Sequence, residues 1–351
     1  MATLRIAVLG GDGIGPEVTE EAVRVAEAAG RLDGARFEWT RFPWGCAYFE
    51  RHGAVMPADA FDQLQPFDAI LFGAIGKPGV PDHLTIGTLL LPLRRRFDQY
   101  VNLRPAYLFD GVPTPLRDKA PGSIDMLVYR ENTEGEYAPL GGRQYQGTDD
   151  EIALQTAVFT RRGCARIMRA AFHAARTRRR KVTSITKSNA LTFSMVLWDD
   201  VFRDVSLEFP DVQSQSLLVD AAAMDFVRKP EVFDVVVASN LFGDILTDLS
   251  AIVTGSVGLA PSANINPERK YPSLFEPVHG SAPDIAGKGI ANPLAAILSA
   301  GMMFDHLALP KGARAIRNAV AAVLKAGSAR TPDLGGTART AEVTRAVLAA
   351  L

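Results

Sequence analysis

The chain has little cysteine. Cys46 and Cys164 are the only two in 351 residues, and no CxxC spacing occurs. That argues against a disulfide framework or a clustered zinc site and fits a reducing cytoplasm. An excess of either charge is also missing: the formal net charge is −1. Generic nucleic-acid binding needs a basic field, and this chain has none. The one basic cluster, Arg176 to Lys181 (RTRRRK), reads as the charged end of a helix running into a strand. No run approaches the roughly 18 apolar residues of a membrane span. The apolar start of the chain is too short for a secretory signal core. No internal repeat and no low-complexity linker is present.

What is there is an alternation of strand and helix patterns. Arg5–Gly10 (RIAVLG) and Asp68–Gly73 (DAILFG) read as buried strands. Between them, Val18, Ala22, Val25, Ala26 and Ala29 fall on one face of a helix over Glu17–Ala29, and Pro16 sits where a first turn tolerates it. Thr85–Phe97 reads as helix. Ile124–Arg130, Lys181–Lys187, Gln213–Asp220 and Asp234–Ser239 read as strands, with helices between the last three. Pro293–His306, Ala313–Ala326 and Ala338–Leu351 read as helices. The class is α/β, and the pattern alone suggests an open, largely parallel sheet. Gly/Pro-rich breaks near 76–82, 138–147 and 255–272 read as loops, where sites concentrate.

Five segments carry candidate chemistry. LGGDGIGPE (9–17) follows a strand and opens a helix. It departs from the G-x-G-x-x-G fingerprint because position 16 is Pro, so a standard Rossmann site is not expected. It is either a close approach to a ligand or a tight turn needing positive φ. Arg94, Arg104 and Arg130 stand near element ends and could clamp carboxylates, although a single arginine is usually a solvated face. Asp244 and Asp248 share one helix face about 6 Å apart. Either a divalent cation such as Mg²⁺ or Mn²⁺ sits between them or they complement the helix dipole, and Asp220 could be a third ligand. Lys187, in TKSN at a strand end, could serve as a base beside a metal; otherwise it is a surface lysine. Phe275–Pro293 (FEPVHGSAPDIAGKGIANP) looks like a loop whose backbone meets a large flat ligand. Asp284 there could accept from a ribose diol and repel a 2′-phosphate, favouring NAD over NADP.

Taken together, GDGIGPE, NLRP, GDILTD and HGSAPDIAGKGIANP resemble the isocitrate/isopropylmalate dehydrogenase family of β-decarboxylating dehydrogenases, from end to end of the chain. Within it, RENTEGEY, LGGR, VFTRRG, TKSN, ASNLFGDIL and PSANINPER are most similar to the tartrate and D-malate dehydrogenase branch. The resemblance implies an isopropylmalate dehydrogenase-like, two-lobed fold with a mixed parallel and antiparallel sheet. One lobe would be discontinuous, residues 1–100 with 250–351. The other, 101–249, would carry the contact of a cytoplasmic homodimer, with an intersubunit arm near 135–160.

The resemblance also implies roles. Arg94, Arg104 and Arg130 would bind substrate carboxylates. Tyr137 would be the general acid, and Lys187 the base from the partner subunit. Asp220 (also from across the interface, beside the substrate), Asp244 and Asp248 would hold Mg²⁺ or Mn²⁺. Asn189 would lie near the nicotinamide. His279, Gly280, Ser281, Ala282, Pro283, Asp284, Ile285 and Asn292 would form the NAD loop, and a monovalent cation such as K⁺ could join. The implied reaction is NAD-dependent oxidative decarboxylation of a 2-hydroxy dicarboxylic acid, D-malate to pyruvate and CO₂ and/or tartrate. The alternative is a 3-alkylmalate such as 3-isopropylmalate. Seven residues before Arg94, where the resemblance implies Glu in isopropylmalate enzymes and Trp in the tartrate/D-malate type, this chain has Gly87. Thr88 matches a serine that recognises the extra carboxylate in isocitrate enzymes, but Leu90 stands where those carry Asn.

Overall fold

The computed structural model describes residues 3–351. Twelve strands form: β1 (Thr3–Gly11), β2 (Arg36–Arg41), β3 (Ala69–Ala74), β4 (Val101–Tyr107), β5 (Asp125–Glu131), β6 (Gly141–Gln144), β7 (Ile152–Gln155), β8 (Lys181–Thr186), β9 (Gln213–Leu218), β10 (Val235–Ala238), β11 (Pro261–Ile265) and β12 (Ser273–Pro277). Ten of them make one sheet in the order β2-β1-β3-β12-β11-β4-β5-β10-β8-β9. β6 and β7 form a separate antiparallel ribbon.

The sheet is mixed, which corrects the largely parallel expectation from pattern alone. β2, β1, β3 and β12 run parallel, as do β5, β10, β8 and β9. The middle is antiparallel, through β12–β11, β11–β4 and β4–β5. β3 (AILFGA) and β10 (VVVA) are buried at every position. Such continuous apolar strands belong to parallel sheets covered on both faces. The middle strands are instead rich in Asn, Pro, Arg and Ser, so apolar periodicity does not reveal them. That is why β4, β11 and β12 escape a pattern reading, and why the 255–272 and 275–293 stretches contain strands rather than loop throughout. Residues 138–147 likewise contain β6.

Apolar clusters flank the two parallel halves, giving a two-lobed α/β fold. The helices Gly15–Gly30, Leu294–His306, Pro310–Ala326 and Thr340–Ala350 pack on one face of β1, β3 and β12 through Val18, Val25, Ile297, Phe304 and Val320. The helices Arg161–Arg176 and Ser194–Ser206 pack on β8 and β10 through Met168, Phe172, Trp198 and Phe202. The expected helix over Thr85–Phe97 is present but interrupted. A wider turn at Ile86–Leu90 separates Asp82–Thr85 from Leu91–Arg96. The basic cluster behaves as expected: the helix ends at Arg176, β8 begins at Lys181, and Arg178 bonds Asp125 and Asp234. No helix of the described residues is long and apolar enough to cross a membrane.

Candidate active site

Strand parity aims two arginines the same way. In the β4–β5 register Asn102 opposes Arg130, with Arg104 two residues further along β4. Residues two apart share a face, so Arg104 and Arg130 both look toward the helix Asn240–Val253. That helix starts at Ser239, whose side chain caps it by accepting from the Phe242 N–H. One turn in, Asp244 meets both arginines: its Oδ1 accepts from Arg104 at 3.0 Å and from Arg130 at 2.5 Å. Its Oδ2 accepts from the Tyr137 hydroxyl at 2.9 Å. Arg130 also donates Nε and Nη2 to Asn240 Oδ1, and Arg104 donates to Thr247 Oγ1. Gly243 makes the approach feasible, because a Cβ there would lie 2.7 Å from Cβ and Cγ of Arg130.

The charges of this cluster are mutually adjusted. Burial would raise the Asp244 carboxyl, but Arg130 and Arg104 outweigh it and hold the group below its ordinary value. Burial, followed by the Asp244 carboxylate, pushes the Tyr137 phenol up to about 12. Tyr137 therefore keeps its proton at neutral pH. Asp248 lies on the same helix face, its side chain 65% exposed, with Arg104 3.9 Å away. Partial desolvation raises its pKa against the pull of Arg104, and the nearby Asp244 charge adds to the rise. Two hard carboxylates one turn apart are a donor set that fits a divalent cation.

The other expected metal ligand stands elsewhere. β9 ends at Leu218, so Asp220 lies in the first turn of the helix Val219–Arg228 rather than in a strand. β8 ends at Thr186, and Lys187 just beyond it donates to Asp220 Oδ1 at 2.7 Å. That contact holds the Asp220 carboxyl below its ordinary value. Among the described residues of one chain, no three metal-ligating side chains converge, so Asp220 does not join Asp244 and Asp248 within a single copy. Asn189 is exposed beside Lys187.

Arg94 reaches the cluster from the opposite lobe. It is 4% exposed, and its Nη2 donates to Glu276 Oε1 at 3.0 Å. Its charge adds a lesser pull on the Asp244 carboxyl, but its ion pair is with Glu276, so only Arg104 and Arg130 contact Asp244 directly.

The segment after β12 forms the second part of the site. Ser281 carbonyl accepts from the Ile14 N–H at 2.8 Å, which docks the expected nucleotide loop onto the first glycine turn. Gly13 has φ +59°, and a Cβ there would stand 1.9 Å from the Ser281 oxygen. The glycine turn thus needs both its left-handed backbone and its close approach, and what it approaches is this loop. His279 Nδ1 lies 2.9 Å from the Gly280 carbonyl; donation there leaves Nε2 a bare acceptor, buried and unpartnered. Burial lowers the His279 pKa, keeping the ring neutral. A buried acceptor without a partner fits an N–H or O–H of a nucleotide. Asp284 and Pro283 are exposed, while Ala282 and Ile285 are half-buried. Asn292 donates to Asp333 Oδ2 and accepts from the Leu294 N–H, which fixes the far end of the loop.

Comparison with known proteins agrees with this geometry. Residues 5–347 match the profile of the isocitrate/isopropylmalate dehydrogenases. The chain is 51% identical to the D-malate dehydrogenase (decarboxylating) of Escherichia coli (strain K12), over 99% of this chain and 98% of that one. It is 49% identical to the tartrate dehydrogenase/decarboxylase of Pseudomonas putida, over 98% and 97%. The crystal structure of isocitrate dehydrogenase from Methylococcus capsulatus superimposes with a TM-score of 0.89 at 38% identity, covering 99% of both chains. The chain belongs to the isocitrate/isopropylmalate dehydrogenase family.

As a member of that family it is a decarboxylating dehydrogenase acting on a hydroxy-acid donor. Several supporting residues of this family member were not singled out in its sequence. Asn240, Thr247 and Glu276 hold Arg130, Arg104 and Arg94. Asn240 and Thr247 flank Asp244 at the spacing of one helical turn, a signal the sequence did contain. Glu276 offers none, because the sequence SLFEP carries no strand alternation that marks β12.

Proposed function

We propose that this chain catalyses NAD- and divalent-metal-dependent oxidative decarboxylation of a 2-hydroxy dicarboxylic acid, D-malate to pyruvate and CO₂ and/or tartrate. The observation that carries the reading is the Asp244 node, where one carboxylate meets two carboxylate-binding arginines and a protonated tyrosine. Relatives named for D-malate and tartrate, matched over nearly the whole chain, support it.

Asp244 and Asp248, with the partner copy's Asp220, would hold Mg²⁺ or Mn²⁺. When bound, the cation draws charge from the hydroxyl and adjacent carboxylate oxygens, and NAD accepts the hydride. Arg94, Arg104 and Arg130 orient the substrate carboxylates. Lys187 takes the C2 hydroxyl proton as hydride leaves C2. After the β-carboxylate departs as CO₂, the Tyr137 hydroxyl delivers a proton to C3. Asp284 and Ile285 favour NAD over NADP, because a carboxylate repels a 2′-phosphate. K⁺ is a further candidate ligand.

Among the described residues of one chain Asp220 forms no group with Asp244 and Asp248, and Lys187 pairs with Asp220 instead. The proposal therefore includes a cytoplasmic homodimer with a shared site. Lobe 101–249 makes its contact, and residues 1–100 with 250–351 form the cofactor side. Exposed Met224, Val227, Ile245 and Ile252 on the helices Val219–Arg228 and Asn240–Val253 support a covered face there. Exposed Leu140, just before β6, and Ile152 and Leu154 on β7 support an arm near 135–160.

A second reading, a 3-alkylmalate substrate, is favoured by Gly87, where an added Cβ meets nothing within 4 Å. The deciding experiment is NADH formation by purified protein with Mn²⁺. D-malate, the tartrates, 3-isopropylmalate and isocitrate are offered in parallel, with an NADP⁺ control and a chelated control. D-malate or a tartrate should be preferred, and chelation should abolish turnover. Preference for 3-isopropylmalate would install the second reading, and unchanged turnover after chelation would end the metal assignment.

A further inference from the structure

Tyr137 sits on a turn, not on a strand or helix, yet its hydroxyl is aimed at one oxygen of Asp244. A turn alone does not hold a phenol to that tolerance. The neighbour in sequence, Glu136, supplies the missing constraint. Its Oε1 accepts from the Ser239 hydroxyl at 2.8 Å and its Oε2 accepts from the Leu241 N–H at 3.1 Å. Ser239 is the cap, and Leu241 lies in the first turn of the helix that carries Asp244. The carboxylate thus satisfies the Leu241 N–H, a helix N-terminal donor with no partner within the helix, and its charge suits the positive end of the dipole.

The same segment is tied down a second time. Asn240 Nδ2 donates to the Glu134 carbonyl at 3.0 Å. Gly135, at φ +79°, lets the backbone pass so close that a Cβ would lie 3.2 Å from the Asn240 Cβ. Between these anchors the turn has little freedom, and Tyr137 projects from it toward Asp244. Distance along the helix from Leu241 to Asp244 is fixed by helix geometry, so Glu136 and Tyr137 grip one rigid body at two points.

We infer that Glu136 is a positioning residue. By clamping the start of the helix Asn240–Val253, it sets the Tyr137 hydroxyl in place for proton delivery. The inference rests on the reading of Tyr137 as the general acid. It assigns Glu136 no contact with substrate.

The test is a double-mutant cycle on the full dimer, reading kcat, KM and the solvent deuterium isotope effect on kcat with D-malate. Misplacing a reacting group by about 1 Å costs up to ~10²-fold. Glu136→Ala should therefore lower kcat about 10- to 100-fold, leave KM within about 2-fold, and raise the solvent isotope effect as protonation of C3 becomes limiting. Glu136→Gln, which keeps one acceptor oxygen, should recover much of the rate. Glu136→Ala added to Tyr137→Phe should cost nothing further, because groups acting through one another are not additive. Multiplying losses would overturn the inference and leave Glu136 a general stabiliser of the fold. So would a rise in KM with kcat unchanged. If Glu136→Ala does not fold, the cycle is run with Ser239→Ala, which removes the Oε1 contact, and the same non-additivity with Tyr137→Phe is required. A Tyr137→Phe enzyme with full activity would remove the acid reading itself, a result visible independently of any Glu136 variant, and the inference would fall with it.

Discussion

Asp244 and Asp220 are both expected metal ligands, but the chain treats them differently. Asp244 is 31% exposed and carries Arg104, Arg130 and Tyr137 on its two oxygens. Asp220 is 58% exposed and pairs with Lys187. The first half of the site is organised within a single chain by strand parity, a helix cap and a glycine. The second half, Lys187 with Asp220, stands at the surface of its own lobe, and under the proposed dimer its partner groups would come from a second copy. A carboxylate that is the counter-charge of buried cations, as Asp244 is for Arg104 and Arg130, must be in place when the chain folds. One that waits for a second copy can remain solvated. The difference indicates which groups are structural as well as chemical.

The largest effect is expected where charge and chemistry coincide. Asp244→Asn should lower turnover at least ~10²-fold, since a bound cation contributes several kcal/mol to the transition state. The same change leaves two buried guanidiniums without their counter-ion, so its Tm should fall as well. Lys187→Ala should remove oxidation by on the order of 10²–10⁴-fold, the usual weight of a general base, while Tm moves little. Wild-type turnover in either variant, measured by NADH formation, would dissolve the contrast between the two halves. A smaller change is expected at Gly87. Open space beside it means that Gly87→Trp should fold, and it should shift kcat/KM away from 3-isopropylmalate toward D-malate by roughly 10-fold. Equal kcat/KM ratios before and after would show that Gly87 does not line the pocket. The smallest effect is at Asp284. Asp284→Ser should raise the NADP⁺/NAD⁺ ratio of kcat/KM only severalfold, because no cationic group replaces the lost carboxylate. An unchanged ratio would take Asp284 out of cofactor choice.

Much of this was legible in the sequence, for definite reasons. β1, β3, β5 and β10 announce themselves as apolar runs, β8 by its β-branched residues, and the helix Gly15–Gly30 by its periodic apolar face. The antiparallel middle of the sheet did not. Its buried polar side chains, Asn102, Asn264 and Glu276, bond one another across strands and break the apolar pattern. The one-turn spacing of Asp244 and Asp248 was readable, as were the three arginines as residue types. The meeting of Arg104 and Arg130 on Asp244 was not, nor was the anchoring of Arg94 on Glu276, a contact spanning 182 positions. The positive φ that the tight-turn reading of 11–13 needs is present at Gly11 and Gly13, and Gly13 packs against Ser281.

The most direct test of the split site is complementation between two inactive chains. Lys187→Ala and Asp244→Asn homodimers are mixed, unfolded, refolded together and assayed with D-malate, NAD⁺ and Mn²⁺. In the mixed dimer one site would combine an intact Asp244 with the other chain's intact Lys187. The account predicts that this species regains about half of wild-type activity per dimer, one of its two sites being whole. Mixed dimers as inactive as either parent would place Lys187 and Asp244 in the same chain's site and contradict the account.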